Sequence, residues 1–158
     1  LVALADSAGR IGKWKMIPKP KPTKQPKGKK KRPPSERKIL VKQLDDLVSL
    51  IVRKRDGQCV TPGNCYGFLT CSHYYKRENW GLRWNLENCN CQCSAHNRAH
   101  NYHEYAYSEY MCKHYGRDVF SELLAYERAY RAGPKWTIPQ MIDLLAELKE
   151  VYDGLGTN

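Results

Sequence analysis

Seven cysteines and five histidines crowd the middle and C-terminal half of this chain, and their spacing limits its possible folds more than any other feature. The cysteines are Cys59, Cys65, Cys71, Cys89, Cys91, Cys93 and Cys112, and the histidines are His73, His96, His100, His103 and His114. An odd cysteine count with short Cys/His spacings favours metal ligation over a disulfide framework. Cys59-x5-Cys65 and Cys93-x2-His96 form two pairs separated by 27 residues. Such an arrangement follows the logic of a structural zinc site, in which each pair comes from one turn and the metal closes the loop between them. Cys93-x2-His96 suits a strand-to-helix knuckle, whereas Cys59-x5-Cys65 is wider than the usual two to four intervening residues. Spacing alone leaves other quartets open. Cys89, Cys91 and Cys93 alternate and would share one strand face, and Cys71 can replace Cys59 or Cys65.

A zinc ion with four protein ligands is a staple and not a catalyst, so any chemistry falls to a neighbouring group. His73 is the candidate. In phosphodiester hydrolysis a neutral imidazole takes a proton from water, while a separate hard cation such as Mg²⁺ stabilises the developing charge. The imidazole needs a partner that fixes its orientation, and an asparagine just before the second ligand pair can supply one.

Charge divides the chain sharply. Residues 1–38 carry thirteen Lys or Arg against Asp6 and Glu36, while the remainder balances at fourteen of each sign. All of the net +11 therefore sits in the N-terminal segment. The Lys19–Pro34 run is almost wholly Lys, Pro, Gly, Gln, Thr and Arg, and cannot bury enough apolar area to offset its ordering entropy. Residues 1–34 are expected to be a disordered basic arm. Its Lys29, Lys30, Lys31 and Arg32 would attract polyphosphate without reading sequence, by counterion release. The short apolar start from Leu1 to Ala8 leads into lysines where a cleavage site should be, so no secretory signal is expected. The Leu1 start itself suggests a processed, trimmed or incomplete chain. No apolar run reaches the roughly 18–20 residues of a membrane helix, and a soluble cytosolic protein is the expectation.

At 158 residues the chain can fill one domain with a modest core. Leu40, Leu44, Leu47, Val48, Ile51 and Val52 recur at helical spacing, with Ser35 as N-cap and Asp56-Gly57 as the stop, which predicts a helix over 35–56. Arg53, Lys54 and Arg55 suit the negative pole of its dipole or a phosphate. Residues 57–92 lack a helical period and predict short strands and a long loop. A helix is expected from about Ala95 to Tyr115, where Tyr102, Tyr105, Tyr107 and Tyr110 would be packing surface. Another is expected from Asp118 to Arg131. A last one runs from Ile138 to Tyr152, with Thr137 and Gln140 as a capping box and Pro139 in the first turn. Its Ile138, Met141, Ile142, Leu144, Leu145, Leu148 and Val151 read as core.

Taken in order, a helix ends at Arg55-Asp56 and a cysteine pair follows. Next come His73-Tyr74, the Leu82-Arg83-Trp84-Asn85-Leu86-Glu87-Asn88 segment, and Gln92-Cys93-Ser94-Ala95-His96-Asn97. Trp136-Thr137-Ile138 opens the last helix. This frame, spanning about residues 37–153, resembles the HNH superfamily, and more closely the NinG/Rap recombination endonucleases of lambdoid phages. The resemblance implies an α+β fold in which a zinc-stapled ββα-metal core over 57–101 is flanked by the 35–56 helix and C-terminal helices over 102–158, the whole nuclease domain being 35–158. It implies His73 as general base, Asn88 orienting the base or its strand, and Asn97 as a ligand of a catalytic Mg²⁺ or Mn²⁺. Structural zinc would be held by Cys59, Cys65, Cys93 and His96, and Arg83 would contact a phosphate.

The chain departs from the pattern in three ways. His96 replaces a cysteine, the first cysteine pair is stretched, and Ser72 stands where many HNH sites place a metal-binding Asp. The last departure leaves Glu78, His100 or a backbone carbonyl as possible further ligands. The implied activity is cleavage of branched recombination intermediates such as D-loops and Holliday junctions in a bacterial host's cytoplasm, with a homodimer suited to paired cuts. The alternatives are a non-catalytic zinc-binding nucleic-acid module and a nickase acting on ordinary duplex DNA.

Overall fold

The computed structural model describes residues 33–61, 63–99 and 104–156. The basic arm, with Lys29, Lys30, Lys31 and Arg32, lies outside the described residues except for Pro33 and Pro34. From Pro33 the chain forms one unit of helices around a two-stranded sheet, an α+β arrangement.

Helix α1 spans Glu36–Asp56 and buries Leu40, Leu44, Val48, Ile51 and Val52, the stripe that the sequence period predicts. Ser35 occupies the N-cap position in extended backbone, but its side chain makes no capping bond. At the other end Gly57 enters the left-handed region (φ 66°) and its N–H reaches back to the Arg53 carbonyl, which stops the helix without the penalty a Cβ would bring.

Strands β1 (Leu69–His73) and β2 (Cys89–Cys93) pair antiparallel, with Leu69 opposite Cys93 and His73 opposite Cys89. Helix α2 (Ser94–Arg98) follows β2 directly. The single helix expected from Ala95 to Tyr115 is instead two, because α2 ends at Arg98 and α3 begins at Glu104, running to Tyr115. Ala99 caps α2, its N–H donating to the Ala95 carbonyl at 3.0 Å, and residues 100–103 lie outside the described residues. Helices α4 (Val119–Ala132) and α5 (Ile138–Gly154) close the fold. At the start of α5 the capping box forms: Gln140 N–H donates to Thr137 Oγ1, and Thr137 N–H donates to Gln140 Oε1 at 2.9 Å.

The larger core packs the α1 stripe against Trp84, Cys89, Cys91, Met141 and Leu148, so one face of the hairpin meets α1 while α5 covers the same helix. A second cluster joins Leu82 to Tyr107, Met111, Val119 and Leu123 of α3 and α4. Two expectations fail at the margins. Ile142 and Val151 are almost half exposed, flanking the stripe that Met141, Leu145 and Leu148 define, and Tyr105 is 83% exposed where packing was expected. Among the described residues no helix is long and apolar enough to cross a membrane.

The long loop between the strands is fastened to α1 by one carboxylate. Asp45 accepts from Arg83 Nε (2.9 Å), from the Arg83 terminal nitrogen (2.7 Å) and from Trp84 Nε1 (2.9 Å). Burial opposes its ionisation, but these bonds and the charges of Arg83 and Arg77 outweigh it and hold the carboxyl below its usual range. A depressed pKa means the tie stabilises the fold above the unfolded value of about 4 and is lost as pH falls through the lower folded one. Asp45→Asn is expected to lower stability by about 2 kcal/mol at pH 7. Urea denaturation across pH 2–7 should show the gap between wild type and variant closing in acid; a gap independent of pH would show that the charge is not what matters.

Candidate functional site

The hairpin is positioned by the last two residues of α1. Arg55 donates to the carbonyls of Leu86 (2.9 Å) and Cys89 (2.9 Å) and to Asn90 Oδ1 (3.1 Å), while also bonding Asp56. Asp56 in turn accepts from the Cys91 backbone N–H at 2.7 Å. Arg55, read from sequence with Arg53 and Lys54 as a dipole partner or phosphate contact, is an internal tie between helix and strand. Neighbouring charge and hydrogen bonds keep its guanidinium protonated against the cost of burial.

At the Cys93 end of the hairpin, Cys59, Cys65, Cys93 and His96 converge, with their ligand atoms all within 4.8 Å of one another. Cys59 Sγ lies 3.3 Å and Cys65 Sγ 3.8 Å from His96 Nδ1. A tetrahedral zinc with its usual bond lengths spaces sulfur and nitrogen ligands by about 3.5–3.8 Å, so three thiols and an imidazole here can hold a metal such as zinc. Local backbone geometry builds the site. Cys93 is the N-cap of α2, where its sulfur accepts from His96 N–H. Ser94 N–H donates to the Phe68 carbonyl at 2.9 Å and Ala95 N–H to that of Tyr66, so the loop after Cys65 satisfies the start of the helix. Gly67 permits this closeness: its φ is +83°, and a Cβ there would meet Ser94 Oγ at 2.1 Å. Burial works to raise the Cys93 pKa, yet hydrogen bonds from His96, Tyr66 and the other two thiols hold it below its ordinary value. The bond to Cys59 pushes Cys65 up to about 11. The wide Cys59-x5-Cys65 spacing is no obstacle, since both sulfurs reach the His96 imidazole.

At the opposite end, His73 is half-buried and its Nε2 lies 2.9 Å from the Arg83 carbonyl. A carbonyl can only accept, so Nε2 carries a proton and Nδ1 is the basic nitrogen. Burial, reinforced by Arg77 and Arg83, pulls the imidazole below its ordinary pKa, against the carbonyl bond and Asp45 that favour protonation. The ring is therefore neutral at pH 7. Asn88, fully buried, accepts from Tyr75 N–H (2.8 Å) and donates to the carbonyls of Tyr75 (3.0 Å) and Leu82 (3.0 Å). It braces the loop whose Arg83 carbonyl holds His73, a positioning task achieved without touching the imidazole.

Two candidates are placed elsewhere than the sequence reading implied. Arg83 is paired bidentately with Asp45 and stacked 4.8 Å from the Trp80 ring centre, so its guanidinium is a structural tie and not an open phosphate contact. Asn97 donates to Thr70 Oγ1 at 3.0 Å. Thr70 and Ser72 point to the strand face opposite that of Cys71 and His73, so Asn97 does not join His73. On that second face Ser72 Oγ is buried without a hydrogen-bond partner. Glu78 is exposed on the turn after His73, and His100 lies outside the described residues. Sequence reading missed Asp45, and it missed Arg77, an exposed cation close enough to influence both His73 and Asp45. Its only signal was the Lys76-Arg77 pair one residue beyond the His73-Tyr74 step.

With the geometry in place, comparison with known proteins is specific in one respect. A family model described as bacteriophage Lambda NinG protein matches residues 14–155. No curated protein and no solved structure matches the chain.

The four-donor cluster predicts that metal removal undoes the fold locally and then globally, since the ion's binding free energy is folding free energy. Chelation with EDTA should lower the thermal midpoint and abolish the near-UV signal of the hairpin aromatics. Cys93→Ser should purify with less zinc per chain than wild type by elemental analysis. A midpoint indifferent to chelation would show that the cluster is not a staple.

Proposed function

The chain belongs to the bacteriophage Lambda NinG family, and from that premise we propose that it is a DNA endonuclease of the HNH type acting on branched recombination intermediates. The NinG family is associated with phage recombination, which favours junctions and D-loops over ordinary duplex as the substrate class. The observation that carries the catalytic half of the reading is the His73–Arg83 carbonyl bond within a β1–β2–α2 order. That bond orients a neutral imidazole with its lone pair on Nδ1, the state a general base needs to take a proton from water attacking a phosphodiester. Asn88 keeps the carbonyl in register with the ring. Arg77 is an exposed cation whose charge is felt at His73, and we assign it the phosphate contact that Arg83 cannot make while paired with Asp45. The basic N-terminal segment supplies affinity independent of sequence.

A hard catalytic cation fits less well. Mg²⁺ prefers carboxylate oxygen, and the carboxylate whose charge is felt at His73 is that of Asp45, whose oxygens are occupied by Arg83 and Trp84. Asn97 sits on the other strand face. The described residues therefore do not form a resident Mg²⁺ site. This favours a second reading, a zinc-binding nucleic-acid module without chemistry.

Incubation of the protein with a labelled four-way junction or a linear duplex, with Mg²⁺ or Mn²⁺ in solution, separates these readings. Wild type is expected to cut the junction preferentially, and His73→Ala to cut at least about 100-fold more slowly with DNA binding intact. Arg77→Ala should weaken binding and reduce the salt slope by about 1. Equal cutting by wild type and His73→Ala would rule out the base. Binding by both without cleavage would establish the module, and equal cutting of duplex and junction would favour a nickase.

A further inference from the structure

The hairpin carries a second convergence of soft donors at the end away from the first. Cys71, His73 and Cys89 bring their ligand atoms within 4.8 Å of one another. Strand register produces this: His73 lies opposite Cys89, and Cys71 is one step along the same face of β1. A fourth donor stands beside them. The Arg83 carbonyl oxygen is 2.9 Å from His73 Nε2 and 3.7 Å from Cys89 Sγ. Cys89 is fully buried while Cys71 and His73 are half-buried, so the cluster is walled by protein on one side and reachable from the other. Neither thiol is in a disulfide. A single buried thiol would be ordinary packing; two thiols, an imidazole and a carbonyl converging are a ligand set.

We propose that Cys71, His73 and Cys89 form a second metal site, selective for a zinc-class ion, and that occupancy of this site switches off His73 as a base. Thiolate and imidazole donors select Zn²⁺, Cd²⁺ or Co²⁺ over Mg²⁺. The first half stands on the geometry alone; the second rests on the nuclease reading above. Silencing does not depend on which ring nitrogen binds. An ion on Nδ1 occupies the lone pair that would accept the water's proton. An ion on Nε2 displaces the bond to Arg83 and leaves the ring's proton on Nδ1, with the same result. Zinc would thus stabilise the protein at one end of the hairpin and inhibit it at the other.

The test titrates the full-length protein, its first site already loaded with zinc, with Cd²⁺ and follows thiolate-to-metal charge-transfer absorption. Wild type is expected to take up one further equivalent. Cys71→Ser should keep the first equivalent and bind the further one more than about 100-fold more weakly, since losing a direct ligand exceeds the usual cost of losing its supporting partner. His73→Gln provides a second variant with the same expectation should Cys71→Ser fold poorly. In the cleavage assay, zinc beyond the first equivalent should slow wild type at least about tenfold. Cys71→Ser, compared with its own rate before that addition, should be unaffected. Absence of a further equivalent in wild type would overturn the site whatever the cleavage result. Uptake of that equivalent with wild-type cleavage unchanged would overturn the switch. If wild type never cuts DNA, the nuclease reading and the switch fall together, while the absorption titration still decides the site.

Discussion

Everything at the candidate site hangs on the contact between the end of α1 and β2. Two five-residue strands are marginal on their own, and here Arg55 and Asp56 lend them a helix. A guanidinium carries five donors in a fixed fork, and Arg55 distributes bonds over two carbonyls, an asparagine oxygen and its neighbouring carboxylate. Asp56 completes the join by accepting the Cys91 N–H. A charge taken out of water is costly unless its partners are complete, so this pair has little freedom to be anything else. Replacing Arg55 would remove a donor from Asp56, from the Leu86 and Cys89 carbonyls and from Asn90 Oδ1 at the point where the helix meets β2.

The second organising constraint is strand alternation. One face of the hairpin presents Cys71, His73, Cys89, Cys91 and Cys93, and meets the apolar stripe of α1. The other presents Thr70, Ser72, Asn90 and Gln92, and meets α2 and α3 through hydrogen bonds from Asn97 to Thr70 and from Asn90 to Tyr107. Soft ligands and polar groups are thus sorted to opposite sides of a sheet only two strands wide. The imidazole shares its side with thiols, and the amide of Asn97 does not. This sorting sets the chemical character of the site: a neutral imidazole in soft company, with the Asp45 carboxylate committed to Arg83.

How much of this was legible in the sequence depends on the range of the interaction involved. Helix α1 follows from its apolar period and from Gly57, and α5 from its period together with Thr137 and Gln140, because periods and caps act within a turn or two of the chain. The helix expected from Ala95 to Tyr115 was not met because α2 stops at Arg98 with Ala99 as its C-cap, a stop that the residue pattern does not announce. Asn88 stood out by its place before Cys93, but its task of bracing the Arg83 loop is visible only once that loop is folded. Arg83 shows the opposite error: a cation in a motif suggests phosphate, while Asp45, 38 residues earlier in the chain, had already claimed it.

The sequence by itself offered Cys59, Cys65, Cys93 and His96 as one quartet among several, since two local turns can present those pairs to one ion, and the fold brought that quartet together. The sequence also determined the family, and the concentration of positive charge ahead of the fold. Tertiary structure alone decided which nitrogen of His73 is basic, that Arg83 is occupied, and that Cys71 and Cys89 meet beside that imidazole. Ligand spacing is a local property written along the chain. A convergence of groups from two strands and a loop depends on register and packing, and those exist only when the chain is folded.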